Sequence, residues 1–320
     1  MRTIEATPAR RRVLACAAAA VLLTAAVGEN AGAATLRWKF KAGESLHYQM
    51  DQKTVTTIKL AGQEIKTTLN QTVDSTWSVE SVAADGSAQM SQTIERIRTK
   101  IEAAFGSIEY DSASGKEPTG PIAQGILPAL KALVGAKFRY KMSPLGELSD
   151  VVVAEGLVDK LKESAPASGG AAVVSEERLK DLIHQSSLPL PAEDLVKDKS
   201  WTRIGKVPSG PIGELNVEKI YKYEGPADGG DKIGLTLKIT IQPPENAAFT
   251  VKLGKQTGGG NFVFNNESGR VVSSIVTQNI EMTVSTSGQE FTQANENSTS
   301  MKLVEVKAAT STPKPAGESK

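Results

Sequence analysis

The chain is short of the side chains that carry most enzyme chemistry. Its 320 residues include 1 cysteine and 2 histidines. One cysteine excludes an internal disulfide framework and a cysteine-rich zinc site. The histidines, His47 and His184, offer no His-x-x-x-His spacing for a metal and read as lone boundary or surface residues. Aromatic residues make up 5% and are scattered, so Trp38, Trp77 and Trp201 read as core packing rather than a stacking platform. Charge of one sign is missing too. With 37 Lys+Arg against 36 Asp+Glu, no electrostatic reserve remains for nucleic acid or anionic lipid. There is no G-x-S-x-G nucleophile elbow. No Lys-Ser/Thr follows Gly258-Gly259-Gly260, which reads as a mobile bend and not a phosphate loop. Asp228-Gly229-Gly230-Asp231 lacks the run of acidic ligands a calcium loop needs. The expectation is a non-enzyme without a cofactor.

What is present begins with an address. Arg10, Arg11 and Arg12 precede an apolar run, Val13 to Val27, followed by the small-x-small pattern Ala31-Gly32-Ala33. The 16 uncharged residues between Arg12 and Glu29 fall short of the ~20 needed to span a bilayer. Residues 1–33 therefore read as a secretory signal peptide cleaved after Ala33. Val13-Leu14-Ala15-Cys16 imitates a lipobox, but its apolar segment follows the cysteine instead of preceding it. The arginines also imitate a twin-arginine signal, yet their neighbours Ala9 and Ala15 favour general secretion. Cleavage removes four arginines, two glutamates and the cysteine, turning the formal charge from +1 to −1. A periplasmic or extracellular protein without a transmembrane segment is expected.

Most of the remaining chain alternates with period two, the mark of half-buried strands. From Ile65 the odd positions carry Leu69, Val73, Trp77 and Val79; the even ones carry Lys66, Thr68, Asp74 and Glu80. Asp85-Gly86 turns the chain into a strand with Met90, Gln92 and Ile94 on one face. After Arg96 the parity slips to Ile97, Thr99 and Ile101, which predicts a β-bulge. Glu95, Glu102, Glu109 and Asp111 alternate with Arg96, Arg98 and Lys100 as a solvated face would, not as paired glycosidase carboxylates. Later strands hold Leu235 to Ile241 and Phe249 to Leu253, and two long ribbons run from Arg270 to Thr286 and from Glu290 to Val306.

Helical periodicity is confined to the middle. Thr119 is the expected cap of a helix with Ile122, Ile126, Leu127, Leu130 and Leu133 on one face, kinked or split at Pro128. A second helix is expected over 155–163, a flexible loop over 164–172, and a third helix opened by Ser175. The chain also repeats itself: a shift of 226 residues brings six identities into register between Gly43–Ile65 and Gly269–Phe291, among them Gly43/Gly269 and Gly62/Gly288. Duplicated hairpins (43–65 and 269–291) and two hairpins sharing turn chemistry both explain this.

Four segments, Phe40–Tyr48, Ser143–Leu148, Leu190–Trp201 and Tyr221–Gly225, give the chain a resemblance to an uncharacterised family of secreted, β-rich bacterial proteins, a domain of unknown function. The resemblance implies a β-rich fold and no activity. The architecture is more distantly similar to the half-open barrels of envelope lipoprotein carriers.

The expected fold is α+β: mainly antiparallel sheet, one large curved sheet or incomplete barrel, with two or three helices from the middle of the chain. Residues 34–306 form a single β-rich domain and 307–320 a disordered tail. Functionally, the first expectation is an envelope protein binding a hydrophobic small molecule or lipid within the curved sheet, lined by Met50, Trp77, Val79, Met90, Met282 and Val284. An ordinary filled core explains the same residues. The alternative is a structural or interaction module presenting its long hairpins to an envelope protein partner.

Overall fold

The computed structural model describes residues 33–164, 175–208, 213–243, 250–286 and 289–307. The expected signal peptide, its Cys16, the loop over 165–172, the Gly288 turn and the tail beyond Lys307 lie outside the described residues. The elements follow in the order β1 (Ser45–Leu60), β2 (Gln63–Val82), β3 (Ala88–Ala103), β4 (Gly106–Asp111), α1 (Pro121–Leu133), β5 (Lys137–Met142), β6 (Leu148–Val152), α2 (Leu157–Glu163), α3 (Glu176–Ser186), β7 (Ser200–Pro208), β8 (Glu214–Ala227), β9 (Gly230–Gln242), β10 (Thr250–Asn265), β11 (Arg270–Thr286) and β12 (Gln289–Lys307). Strand dominates. The expectation of α+β is corrected to a largely β protein, because the helices have only 13, 7 and 11 residues and are accessory to one antiparallel sheet.

That sheet runs β6-β5-β3-β2-β1-β12-β11-β10-β9-β8-β7, with β4 paired to β3. Its first and last long strands, β1 and β12, pair at its centre from Ser45↔Lys307 to Leu60↔Phe291. The sheet is curved and unclosed: the edge strands β6 and β7 are not hydrogen-bonded to each other, and α3 contacts both. Glu147, beside β6, meets Arg203 of β7 across this seam at 3.3 Å.

The alternation in β2 holds as read, with Trp77 and Val79 buried on the inward face. The parity slip is a bulge: Asp74 pairs with Arg96 and Ser75 with Ile94, leaving Glu95 extra. The turn between β1 and β2 places Ala61 (φ 49°) and Gly62 (φ 79°) in the left-handed region, as a two-residue hairpin of the primed kind requires.

Gly258-Gly259-Gly260 is not a bend. It lies inside β10, where neighbouring strands come too close for side chains. A Cβ on Gly260 would run into the Ile275 carbonyl oxygen, and one on Gly258 would stand 2.9 Å from the Leu237 Cβ. Just beyond, β10 parts from β9 and Gln256 spans the gap. Its amide accepts from Ile239 N–H at 2.9 Å and donates to Ile239 C=O at 2.8 Å, so neither backbone group is left unpaired.

The helices differ from expectation in two details. Helix α1 is capped by Gly120 without a side-chain hydrogen bond, not by Thr119, and it continues through Pro128. Proline removes the bond to the Gln124 carbonyl. Gln124 and Pro128 are both exposed, so water can take that carbonyl, while Ala123, Leu127 and Leu130 are buried at helical spacing. Ser175 does cap α3, accepting from Arg178 N–H.

A main core fills one end of the curved sheet. An extended strap, residues 33–43, runs beside residues 187–199 and is tied by Ala34–Leu195 backbone bonds and by Trp38 Nε1 donating to Leu188 C=O at 3.1 Å. Leu36, Trp38, Leu188, Leu190 and Leu195 are buried there against Tyr48, Val79, Met90, Tyr221 and Phe264. Three of the four segments that carry the resemblance, Phe40–Tyr48, Leu190–Trp201 and Tyr221–Gly225, lie in or beside this plugged end. The fourth supplies Gly146, at φ 78° against Trp38 and the Leu188 carbonyl, where no Cβ fits.

Candidate functional site

Cross-strand register orders the inward face into rungs. One runs Met301–Met50–Val73 across β12, β1 and β2. Toward the plugged end from that rung the core is filled. In the other direction α1 covers the β3–β4 side in a second core around Ile97, Ile108 and Leu127; most of the remaining inward face is half-buried, and its two halves differ in chemistry.

Over β12, β1 and β2 it is an amide and hydroxyl band. Asn297 donates to Thr54 at 2.8 Å, Thr299 to Asn297 at 3.1 Å, Thr56 to Asn295 at 2.9 Å and Gln71 to Thr99 at 3.1 Å. Over β8 to β11 it is mostly apolar: Val217, Leu237, Ile280, Met282 and Val284 are half-buried at inward positions and Ile239 is buried, with Lys219, Gln256 and Gln278 the polar exceptions. The helices make their principal contacts on β4, β6, β7 and each other.

The six candidate lining residues therefore divide. Trp77, Val79 and Met90 sit together in the filled core, with Val79 and Met90 1% exposed, and Met50 is half-buried at its margin. Met282 and Val284 are half-buried far out on β11, opposite Leu253 and Val251 of β10. The structure does not bring the two groups together.

At the seam a cleft of about 570 Å³ opens between Gly146–Leu148, α3 and the β7–β8 pair. Leu148, Pro189, Ile204 and Tyr221 provide its apolar walls, and Asp181, His184, Arg203 and Lys219 its charge and protons. Tyr221 is buried, stacked on Trp201 with ring centroids 5.4 Å apart. Arg203 and Lys219 are directly opposite each other on β7 and β8, one rung from Trp201–Tyr221 and so on the inward face. Burial pushes the Lys219 pKa below the ordinary lysine range. The phenols of Tyr48, Tyr140 and Tyr221 are pushed up by burial, which holds them neutral. Tyr48 donates to Val271 C=O at 2.9 Å.

The outward face carries most of the charges. A groove of about 470 Å³ crosses β12, β1, β2, β3 and β4, lined by Ser300, Asp51, Thr72, Arg98 and Asp111 among others. Its signs are interleaved: Arg98 pairs with Asp74 at 2.8 Å, Lys100 with Glu102 at 2.8 Å and Arg96 with Asp111 at 2.5 Å. The Arg96 guanidinium, helped by the Ala113 N–H, holds the Asp111 carboxyl down to about 2. Thr76 donates to the bulged Glu95 and lies 3.0 Å from His47 Nδ1. His47 is thus on the outward face of β1, whereas His184 is exposed on α3 at the seam cleft. Among the described residues no group of three or more His, Cys, Asp or Glu could hold a metal ion, and no helix is long and apolar enough to cross a membrane.

Sequence reasoning passed over Arg203 and Lys219. A signal was available. Lys219 interrupts the apolar alternation Leu215, Val217, Tyr221, Tyr223, and Arg203 interrupts the inward series that Trp201 begins.

The fold defines a class: a largely β protein built on one wide, unclosed antiparallel sheet, plugged at one end by an extended strap. The chain belongs to the family of unknown function DUF6263, whose profile matches residues 85–300. No curated protein matches it in sequence. Among solved structures it is similar to lipovitellin, in a study titled for its lipid–protein interactions, at 11% identity over 87% of this chain, with a TM-score of 0.48. The chain spans 27% of that lipovitellin chain. It is similar also to an outer membrane channel from Pseudomonas putida F1 (8% identity, 83% of this chain, 97% of that one, TM-score 0.26). A third is the translocator domain of the autotransporter NalP from Neisseria meningitidis (9%, 83%, 90%, 0.22). Identities and scores this low describe β-rich architecture alone.

Proposed function

We propose that the protein is an exported, non-enzymatic binding protein of the cell envelope that holds the apolar part of a ligand against the inward face of β8–β11. The observation that carries this reading is the contrast between the two ends of one face. At the strap end the apolar side chains are buried in a core with Leu237 packed at its margin, whereas outside it Ile280, Met282 and Val284 remain only half-buried. Covering the rest of one such side chain stabilises by about 1 kcal/mol. Five or six together give an affinity nearer millimolar than micromolar, so an apolar chain binds here reversibly.

Titration of the protein with oleyl alcohol, followed by tryptophan fluorescence and native mass spectrometry, tests the reading. Saturable binding is expected, and loss of it in Met282→Glu with the melting temperature kept. A protein that neither carries nor takes up any apolar molecule would refute it. Export predicts a mature N-terminus at Ala34, seen by N-terminal sequencing of protein recovered outside the cytoplasm.

A second reading rests on the β1–β2 hairpin tip, where Leu60 and Ile65 are 44% and 42% exposed. A tip of this kind can dock an envelope protein partner, and crosslinking from position 62 would capture it.

A further inference from the structure

The inward face beyond the Met301–Met50 rung is uncharged at its paired positions on β10, β11, β12, β1, β2 and β3. On β7 and β8 two charges break that rule, Arg203 and Lys219, and they stand directly opposite each other. Like charges in that relation are unfavourable by themselves, and an anion lying between them is attracted by both. The Arg203 head group meets one carboxylate oxygen of Glu147, at 3.3 Å, and the Glu147 side chain is 61% exposed. Room for a second carboxylate exists beside them, because both cations line the cleft of about 570 Å³, a size that accommodates one small molecule. From Lys219 the rung continues to Leu237 on β9 and then to Gly258 on β10, so a chain leaving the cations meets the apolar wall at once.

We propose that the ligand is a single-chain carboxylate, its head group held at the seam by Arg203 and Lys219 and its chain laid along Leu237 toward Met282. This rests on the apolar-wall reading above and adds the head group to it. A guanidinium presents a planar fork to a carboxylate, and the Lys219 side chain directly across the ladder adds a second positive charge to the same cleft. A monoanion fits better than a phosphate dianion. Asp181 and Glu214 also line the cleft, and Glu214 already faces Lys206 at 2.9 Å, so a second negative charge is opposed.

The test compares oleate with oleyl alcohol, which share a chain and differ in the head group, by calorimetry on the chain beginning at Ala34. Oleate is expected to bind at least about tenfold tighter, the value of one charged hydrogen bond. Arg203→Gln and Lys219→Gln should each remove most of that advantage and leave the alcohol unaffected. Lys219→Arg should retain it, and Glu147→Gln should strengthen oleate binding by freeing Arg203. Equal binding of oleate and alcohol, or equal losses of both in the variants, overturns the head-group assignment while the apolar wall stands. Preference for a lysophosphatidate over oleate overturns the choice of carboxylate. If neither oleate nor the alcohol binds, the apolar-wall reading falls and the head-group assignment falls with it.

Discussion

Replacing Arg270 by Met isolates the contribution of one buried ion pair. Arg270 Nη1 and Nη2 donate to Glu44 Oε1 and Oε2 at 3.1 and 3.2 Å, and the two side chains are 6% and 8% exposed. Arg270 Nε also donates to Ser268 C=O at 3.1 Å. The pair joins the starts of β1 and β11, which do not hydrogen-bond to each other. Methionine fills much of the arginine volume but leaves the Glu44 carboxylate buried without its counterion, a loss of about 3–5 kcal/mol. At about 2–4 °C per kcal/mol for a domain of this size, the melting temperature should fall by roughly 10 °C. Urea denaturation followed by tryptophan fluorescence reads the change, since Trp38 and Trp77 are buried. Glu44→Gln combined with Arg270→Met removes both charges, so the double variant should be more stable than Arg270→Met alone. A loss under about 1 kcal/mol in Arg270→Met, or strict additivity of the two substitutions, would refute the reasoning.

Two glycines should respond in opposite directions. Gly260→Ala puts a methyl against the Ile275 carbonyl and should cost several kcal/mol or abolish soluble expression. Gly125→Ala, in α1 with nothing within 4 Å of its Cβ, should stabilise by about 0.5–1 kcal/mol; thermal melts of both check this. Asp111, whose carboxyl is held down to about 2 by Arg96, stabilises the fold above its unfolded value of about 3.9. That stabilisation is lost as pH falls through about 2. The stability difference between the protein and Asp111→Asn should therefore be present at pH 5 to 7 and close between pH 4 and 2 in denaturation series.

Local pattern made much of the sheet legible, and what it missed depended on pairing. Trp77 and Val79 announced the inward face of β2, and the step from Ile94 to Ile97 announced the Glu95 bulge, because parity is a property of a single strand. The three glycines of β10 read as a bend because Gly in sequence signals freedom; only the closeness of Leu235, Leu237 and Ile275 on both sides shows that it signals crowding. Met282 and Val284 were grouped with Met90 by residue type, and the sheet separates them along its length. Arg203 and Lys219 became a pair only once β7 was registered on β8. The 226-residue shift matched Gly43 with Gly269 as identities; the next positions, Glu44 and Arg270, differ in sequence and meet as complements.

The pairing of β1 with β12 has a kinetic consequence. Thr56 and Asn295 touch although they are 239 residues apart in the chain, and the same ladder zips all of β1 against Phe291–Lys307 of β12. One side of β1 therefore has no partner until synthesis has passed β12. Contacts this distant make folding slow and leave an open strand edge exposed to other chains while it waits. A circular permutant that joins Lys307 to Ala34 by a short linker and opens between β7 and β8 would turn the most distant pairing into a local one, and should refold faster with less aggregation.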